Sequence, residues 1–364
     1  MDNNNKQGRD YGLDLMRVLM TVFVVGIHVL QRGGMLGVCR DSYPRRGFVA
    51  IGLFFAVTCA VNGFALISGY VGISAKYRFS RILWLYFTVS FYNVLIPAVF
   101  RFRYGYVIDD TVKLRALFPF AYEANWYFTA YLGMFLLIPF LNAAVKHLDR
   151  RQCIAAFSAL AGFFSLIPTV LYMFFDEGFD KNVFKLSSGY SALWLSVLYL
   201  VGAAVRKHDL FSRVPRRSGL VCYLVTTCLG AVLTALGYYR AEIPIEPLSN
   251  YISPLVIIQA LSLLIFLRGM KLPKIACKVI GFFSPHSFSI YIIHTQDAVW
   301  TIWLAGRYAE RTQTTFTAML PVMFVFYTLS LYGLCLIADM PLHYGIKLFR
   351  GAVGRLRARK TDAS

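Results

Sequence analysis

Residues 13–30 read LDLMRVLMTVFVVGIHVL, an apolar run long enough to cross a bilayer that nevertheless carries Asp14, Arg17 and His28. Ionisable side chains are costly in hydrocarbon, and inside membrane spans they mark function by default. On a helix turning ~100° per residue, Arg17 and His28 fall within about 20° of each other, and Asp14 within about 60° of Arg17. The three form one polar stripe. At ~1.5 Å per residue, a permanently charged guanidinium lies about 16 Å along the axis from an imidazole. A cation near one membrane face is thereby linked to a proton acceptor deep inside. The plainer alternative is packing alone, with Asp14 and Arg17 paired at i,i+3 and His28 snorkelling to the far interface.

A donor with phosphates at one end and an activated group on a long flexible arm suits that arrangement, and acyl-coenzyme A has this shape. The arginine would hold phosphates, and the arm would reach toward the ring. His28 would then act as general base on an acceptor hydroxyl, or be acylated and pass the group on. Arg78 and Arg81, three apart ahead of the third apolar run, would widen the cationic mouth. Positive-inside topology accounts for them equally well. In SFSIYIIH, Ser287, Tyr291 and His294 at i, i+4 and i+7 make a second polar line, facing either a cavity or a neighbouring helix. Asn62 and Ser68 in the second run are candidate partners for a donor oxyanion. Gly69 on the same stretch suits close approach of a ligand or, more simply, of a helix. Asn125 and Trp126 open the fourth run, where Trp is commonest at the interface.

These residues need helices to hold them, and the composition supplies little else. With 58% hydrophobic and 15% charged residues, the chain reads as an all-α polytopic membrane protein. Apolar runs at 13–30, 48–72, 80–100, 126–145, 153–175, 190–205, 219–238, 251–268, 287–305 and 318–338 predict about ten transmembrane helices. A net charge of +19 would suggest nucleic acid in a soluble protein, but the basic residues sit in short segments between spans. About two-thirds of the Lys and Arg outside the membrane fall on one side if both termini are cytoplasmic, which sets the expected orientation. Residues 1–345 then form one membrane-embedded domain, and 346–364 a basic cytoplasmic tail lying on the anionic leaflet. The seven cysteines include no C-x-x-C pair and no Cys/His cluster, so no metal site or redox motif is indicated. The first span is followed by others and lacks a small-residue cleavage site, so it reads as retained rather than as a signal peptide.

Six stretches together resemble the membrane-bound acyltransferase family 3, ten-span bacterial enzymes that O-acylate surface glycans. They are LDLMR with Arg17-x10-His28, ISGY at 67–70, YRFSRI at 77–82, NWYFTAYLGMFLLIP at 125–139, SFSIYIIH at 287–294 and ADMP at 338–341. The resemblance implies transfer of an acyl group, commonly acetyl from acetyl-coenzyme A, to a hydroxyl of a cell-surface polysaccharide or lipid-linked glycan. It implies a multi-pass protein of the bacterial cytoplasmic membrane. It also implies His28 as catalytic, and Arg17, Arg78 and Arg81 as donor-binding. Asn125 stands where many members carry His and Asp339 where many carry Glu, so neither is given a catalytic role. Asp14, Asn62, Ser68, Ser287, Tyr291 and His294 are expected along the substrate cavity. Two other readings compete: a transporter that moves a glycan or acyl group without covalent chemistry, and a structural member of a polysaccharide assembly complex.

Overall fold

The computed structural model describes residues 9–121, 125–175, 183–241 and 246–361, and over these the chain is helical, with no strand. The polar segment up to residue 8 and the last three residues of the basic tail lie outside the described residues. The first third comprises α1 (Tyr11–Leu30), α2 (Met35–Ser42), α3 (Pro44–Val57), α4 (Ala60–Gly72), α5 (Ser80–Tyr104) and α6 (Asp110–Leu117). Then follow α7 (Trp126–His147), α8 (Arg150–Ala161), α9 (Ile167–Phe174), α10 (Ala192–Lys207) and α11 (Arg216–Leu236). The last third holds α12 (Glu246–Ser249), α13 (Pro254–Leu267), α14 (Lys274–Phe283), α15 (Ser287–Thr295), α16 (Ala309–Thr314) and α17 (Leu320–Thr361).

Among the described residues, nine stretches are long and apolar enough to cross a membrane. They are α1, α3 with α4, α5, α7, α8 with α9, α11 with its C-terminal π-turn, the run from Pro247 through α13, α14 with α15, and the first part of α17. Their outward faces are apolar, as a lipid-facing surface requires: Leu83, Phe163, Leu224 and Phe326 are all exposed. The chain is a polytopic helical membrane protein.

Two spans differ from the sequence reading. The run expected at 190–205 forms α10, whose 16 residues rise only about 24 Å against a hydrocarbon core of ~30 Å. It is nevertheless a crossing, the innermost one: it runs beside α7 from Tyr190, packed on Trp126, to Lys207, whose Nζ donates to the Val145, Lys146 and Leu148 carbonyls, and it is buried over most of its length against α4 and α7. The run expected at 287–305 instead spans Lys274–Thr295. Ser284–His286 looks like a break in sequence, but Pro285 sits in the first turn of a 3-10 segment, where its missing N–H costs nothing, so α14 leads directly into α15. Beyond it, residues Val299–Leu304 form a separate π-turn. At the C-terminus α17 runs unbroken past residue 345 to Thr361, carrying Pro341 inside it.

α1 is the axis. Asp10 caps it by accepting from the Gly12 and Leu13 amides at 2.9 and 3.3 Å, and also receives the Gly269 amide at 3.0 Å beyond the end of α13. We call this end proximal and the Leu30 end distal. α14 and α15 run parallel to α1, with Ser284 beside Asp14 and His294 beside His28. α17 runs antiparallel, bringing Phe324 against Gly26, where a side chain on the glycine would overlap the ring. Farther out, α4 and α10 cross through small residues. A Cβ on Gly69 would overlap the Tyr199 carbonyl oxygen, and one on Gly202 the Leu66 carbonyl oxygen. Gly69 therefore serves a helix crossing.

Candidate active site

Arg17 and His28 line one cavity of about 660 Å³. It runs along α1 from Arg17, Ser68, Tyr131 and Ser284 at the proximal end to His28, Gln31, Asp297 and Trp300 at the distal end. The spacing that places both side chains on one stripe of α1 thus places them on one wall, their Cα atoms about 16 Å apart along the axis.

At the proximal end Asp14, 4% exposed, accepts from Arg17 Nη1 at 2.6 Å, from Arg9 Nε at 2.5 Å and from Ser284 Oγ at 3.2 Å. Arg9 lies just outside the span, and its hydrogen bond to Asp14 raises its pKa further. Asp14 lies behind the cavity wall and fixes Arg17, whose side chain stays one-third exposed and keeps N–H groups for a ligand. Arg78 and Arg81, by contrast, are exposed ahead of and at the start of α5 and do not line the cavity.

At the distal end the hydrogen-bond chain fixes the protonation pattern of His28. His294 Nδ1 lies 2.6 Å from the Ile290 carbonyl oxygen, which can only accept, so Nδ1 carries the proton and Nε2 the lone pair. His28 Nδ1 lies 2.8 Å from that Nε2 and therefore donates to it. This assigns the lone pair of the neutral His28 ring to its own Nε2. The Trp300 ring packs edge-on against His28 with centroids 4.7 Å apart, and Arg32 Nε donates to the Trp300 carbonyl at 3.0 Å. The result is an imidazole held in one orientation on the cavity wall, with Nε2 able to accept a proton.

Of the remaining expected residues, Ser68, Ser287 and Tyr291 line the cavity. Ser68 Oγ donates to the Phe64 carbonyl at 2.8 Å, and the Tyr291 hydroxyl accepts from the Tyr127 amide at 3.3 Å. His294, fully buried, stands one layer back. Asn62 is elsewhere: its Nδ2 donates to the Tyr251 carbonyl at 2.7 Å and its Oδ1 accepts from Trp194 Nε1 at 3.1 Å. Both ends of that amide are engaged, and it takes no part in the cavity wall. Four buried groups on lining residues have no hydrogen-bond partner among the described residues: Asn93 Nδ2, Arg115 Nε, Asn125 Oδ1 and Ser287 Oγ. Unsatisfied polar groups in an apolar wall call for a polar ligand.

Several lining residues come from loops and carry no signal in the sequence. The Tyr106 hydroxyl donates to Asp297 Oδ2 at 2.7 Å, and Arg115 Nη1 on α6 lies 3.9 Å from Oδ1 of the same carboxylate. Burial first, and then the bond to Asp297, raise the Tyr106 pKa, so the phenol remains a donor. α6 is thereby folded against the distal end of the cavity. Trp126, Tyr190 and Tyr251 form an aromatic wall beside it.

One grouping of metal-ligand type occurs among the described residues. His286, Asp339 and His343 bring ligand atoms within 4.8 Å of one another. There the Asp339 carboxylate is already engaged, with His286 Nδ1 at 2.5 Å and the Tyr92 hydroxyl at 2.6 Å. The group links α5, α17 and the turn before α15 and lies outside the cavity.

The chain is thus a polytopic helical membrane protein with a fixed cation and an oriented imidazole on the wall of one internal cavity. The family model described as an acyltransferase domain matches residues 10–340, and the chain belongs to that family, acyltransferase family 3. It is a membrane acyltransferase. No curated protein and no solved structure matches the chain significantly.

Proposed function

We propose that this protein is an O-acyltransferase of the bacterial cytoplasmic membrane, transferring an acyl group, most simply acetyl, from acyl-coenzyme A to a hydroxyl of a cell-surface polysaccharide or lipid-linked glycan. The observation that carries the reading is that Arg17 and His28 line one cavity, with the His28 Nε2 lone pair left free by the His294 hydrogen bond. Both termini would be cytoplasmic, making the proximal end cytosolic and the distal end extracytoplasmic.

In this reading the donor's diphosphate docks at the proximal mouth on Arg17, with Arg78 and Arg81 adding attraction from outside the wall. The arm extends along the cavity, and its amides meet the unpartnered groups of Asn93, Asn125 and Ser287. The acceptor hydroxyl approaches His28 from the distal end. Nε2 takes the hydroxyl proton as the oxygen attacks the thioester carbon, and the resulting tetrahedral intermediate expels the coenzyme A thiolate as the C–S bond breaks. The imidazolium then returns its proton to the sulfur, leaving an ester and free coenzyme A. A transporter would need the passage but not the oriented base.

The test uses purified protein in nanodiscs with acetyl-coenzyme A and acceptor glycan, following free thiol and glycan mass. Wild type releases thiol with matching gain of an acetyl group on the glycan. His28→Ala folds, binds donor and loses activity by at least about 10²-fold. Near-normal transfer by His28→Ala removes His28 as the base.

A further inference from the structure

A second, smaller cavity of about 200 Å³ adjoins the first at the distal end. The two share Ile27, Gln31, Tyr190 and Tyr251, so they adjoin at a fork within one helical turn of His28 on α1. The branch runs away from the Arg17 end, between α1, α2, α3, α11 and α12. None of the acid–base residues enters it. Its walls combine aromatic faces with amides and hydroxyls, among them Gln31, Thr58, Thr234 and Asn250. Thr234 is 8% exposed and its hydroxyl has no partner among the described residues.

The fork is a built structure. Tyr190 lies with its ring centroid 4.4 Å from Trp126 and 5.0 Å from Tyr251, while Trp126 and Tyr251 stack at 6.0 Å with planes 22° apart. Gly189, at φ +100°, brings the backbone against Tyr251, where a side chain would overlap the Tyr251 Cβ. The buried Trp194–Asn62 pair holds the Tyr251 carbonyl from behind. Tyr190 itself is 47% exposed, leaving a ring face open.

We propose that this branch is the acceptor subsite, that its occupant is a pyranose ring, and that Tyr190 is the platform that selects it. The proposal rests on the acyl-transfer reading above and names the acceptor class for the same site. A pyranose has an apolar C–H face and a rim of hydroxyls, and it needs what this branch offers: an aromatic face bordered by amide and hydroxyl groups. A ring seated on Tyr190 projects a hydroxyl past the fork toward His28 while the donor arm occupies the main cavity. Donor and acceptor therefore meet from opposite ends without sharing a mouth. An acyl chain or lipid tail would leave the Thr234 hydroxyl and the amides unpaired, which disfavours either as the occupant.

The experiment compares methyl pyranosides of the gluco, galacto, manno and N-acetylated series with glycerol as acceptors for acetyl-coenzyme A. Glycerol offers the same hydroxyls without the ring. Wild type prefers at least one pyranoside over glycerol in kcat/KM. Tyr190→Ala lowers that preference about tenfold, mainly through KM for the pyranoside, and Tyr190→Phe keeps it because the ring remains. The proposal is overturned if pyranosides are no better than glycerol in wild type, or if Tyr190→Ala leaves the preference intact. Thiol release with neither kind of acceptor overturns instead the acyl-transfer reading beneath it.

Discussion

His294 determines which nitrogen of His28 is basic, because a carbonyl oxygen behind it leaves only one consistent arrangement of protons along the pair. Removing the ring should leave His28 Nδ1 without an acceptor and let the imidazole take the wrong tautomer or rotate. His294→Ala is therefore expected to lower kcat by about 10²-fold with little change in KM for acyl-coenzyme A. His294→Gln should recover part of the rate, since its amide oxygen can accept the same N–H. Steady-state kinetics at equal protein abundance checks this, and an unchanged kcat in His294→Ala would remove the positioning role. Asp14 acts similarly at the other end, holding Arg17 by a short bond while itself lying behind the wall. The stripe of Asp14, Arg17 and His28 was legible in the sequence because helix geometry converts spacing into direction. Asn62 was not: its partners, Tyr251 and Trp194, are far away in the chain, and nothing local says that both ends of its amide are engaged.

At the scale of elements, the inner layer is held by close crossings. α10 crosses beside α7 in only 16 residues, and it packs against α4 through Gly202 and Gly69, each facing the other helix's backbone. Gly202→Val places a branched side chain on the Leu66 carbonyl and should destabilise the bundle by about 1–3 kcal/mol. The expected result is a lower thermal midpoint and lower membrane abundance; a midpoint equal to wild type would mean the crossing relaxes freely. Most helices follow from hydropathy, since apolar runs of span length have few alternatives in a bilayer. The exceptions have local causes. α14 follows Lys271, carries Lys274 and Lys278 within it and is followed by Ser-Pro-His, which together hide its continuity with α15. The distal loops are also illegible: Tyr106, Arg115, Asp297 and Trp300 meet at the cavity through folding of short segments with no periodic pattern.

At the scale of the whole molecule, the fold sets two routes to one imidazole. The main cavity connects the Arg17 end to His28, and the aromatic fork opens beside His28 toward the distal loops. The buried contact of Tyr92 and His286 with Asp339 ties α5 and α17 to the turn that aligns α15, keeping His294 in register with His28. In the acyl-transfer reading proposed above, the His28 imidazole is where donor and acceptor would meet. The most direct test is a structure of the protein with coenzyme A bound. The account predicts the diphosphate against Arg17 and the sulfur within about 4 Å of His28 Nε2, at near-attack range for the carbonyl carbon. Phosphates seated at the distal loops, or an arm that leaves the sulfur away from His28, would contradict it.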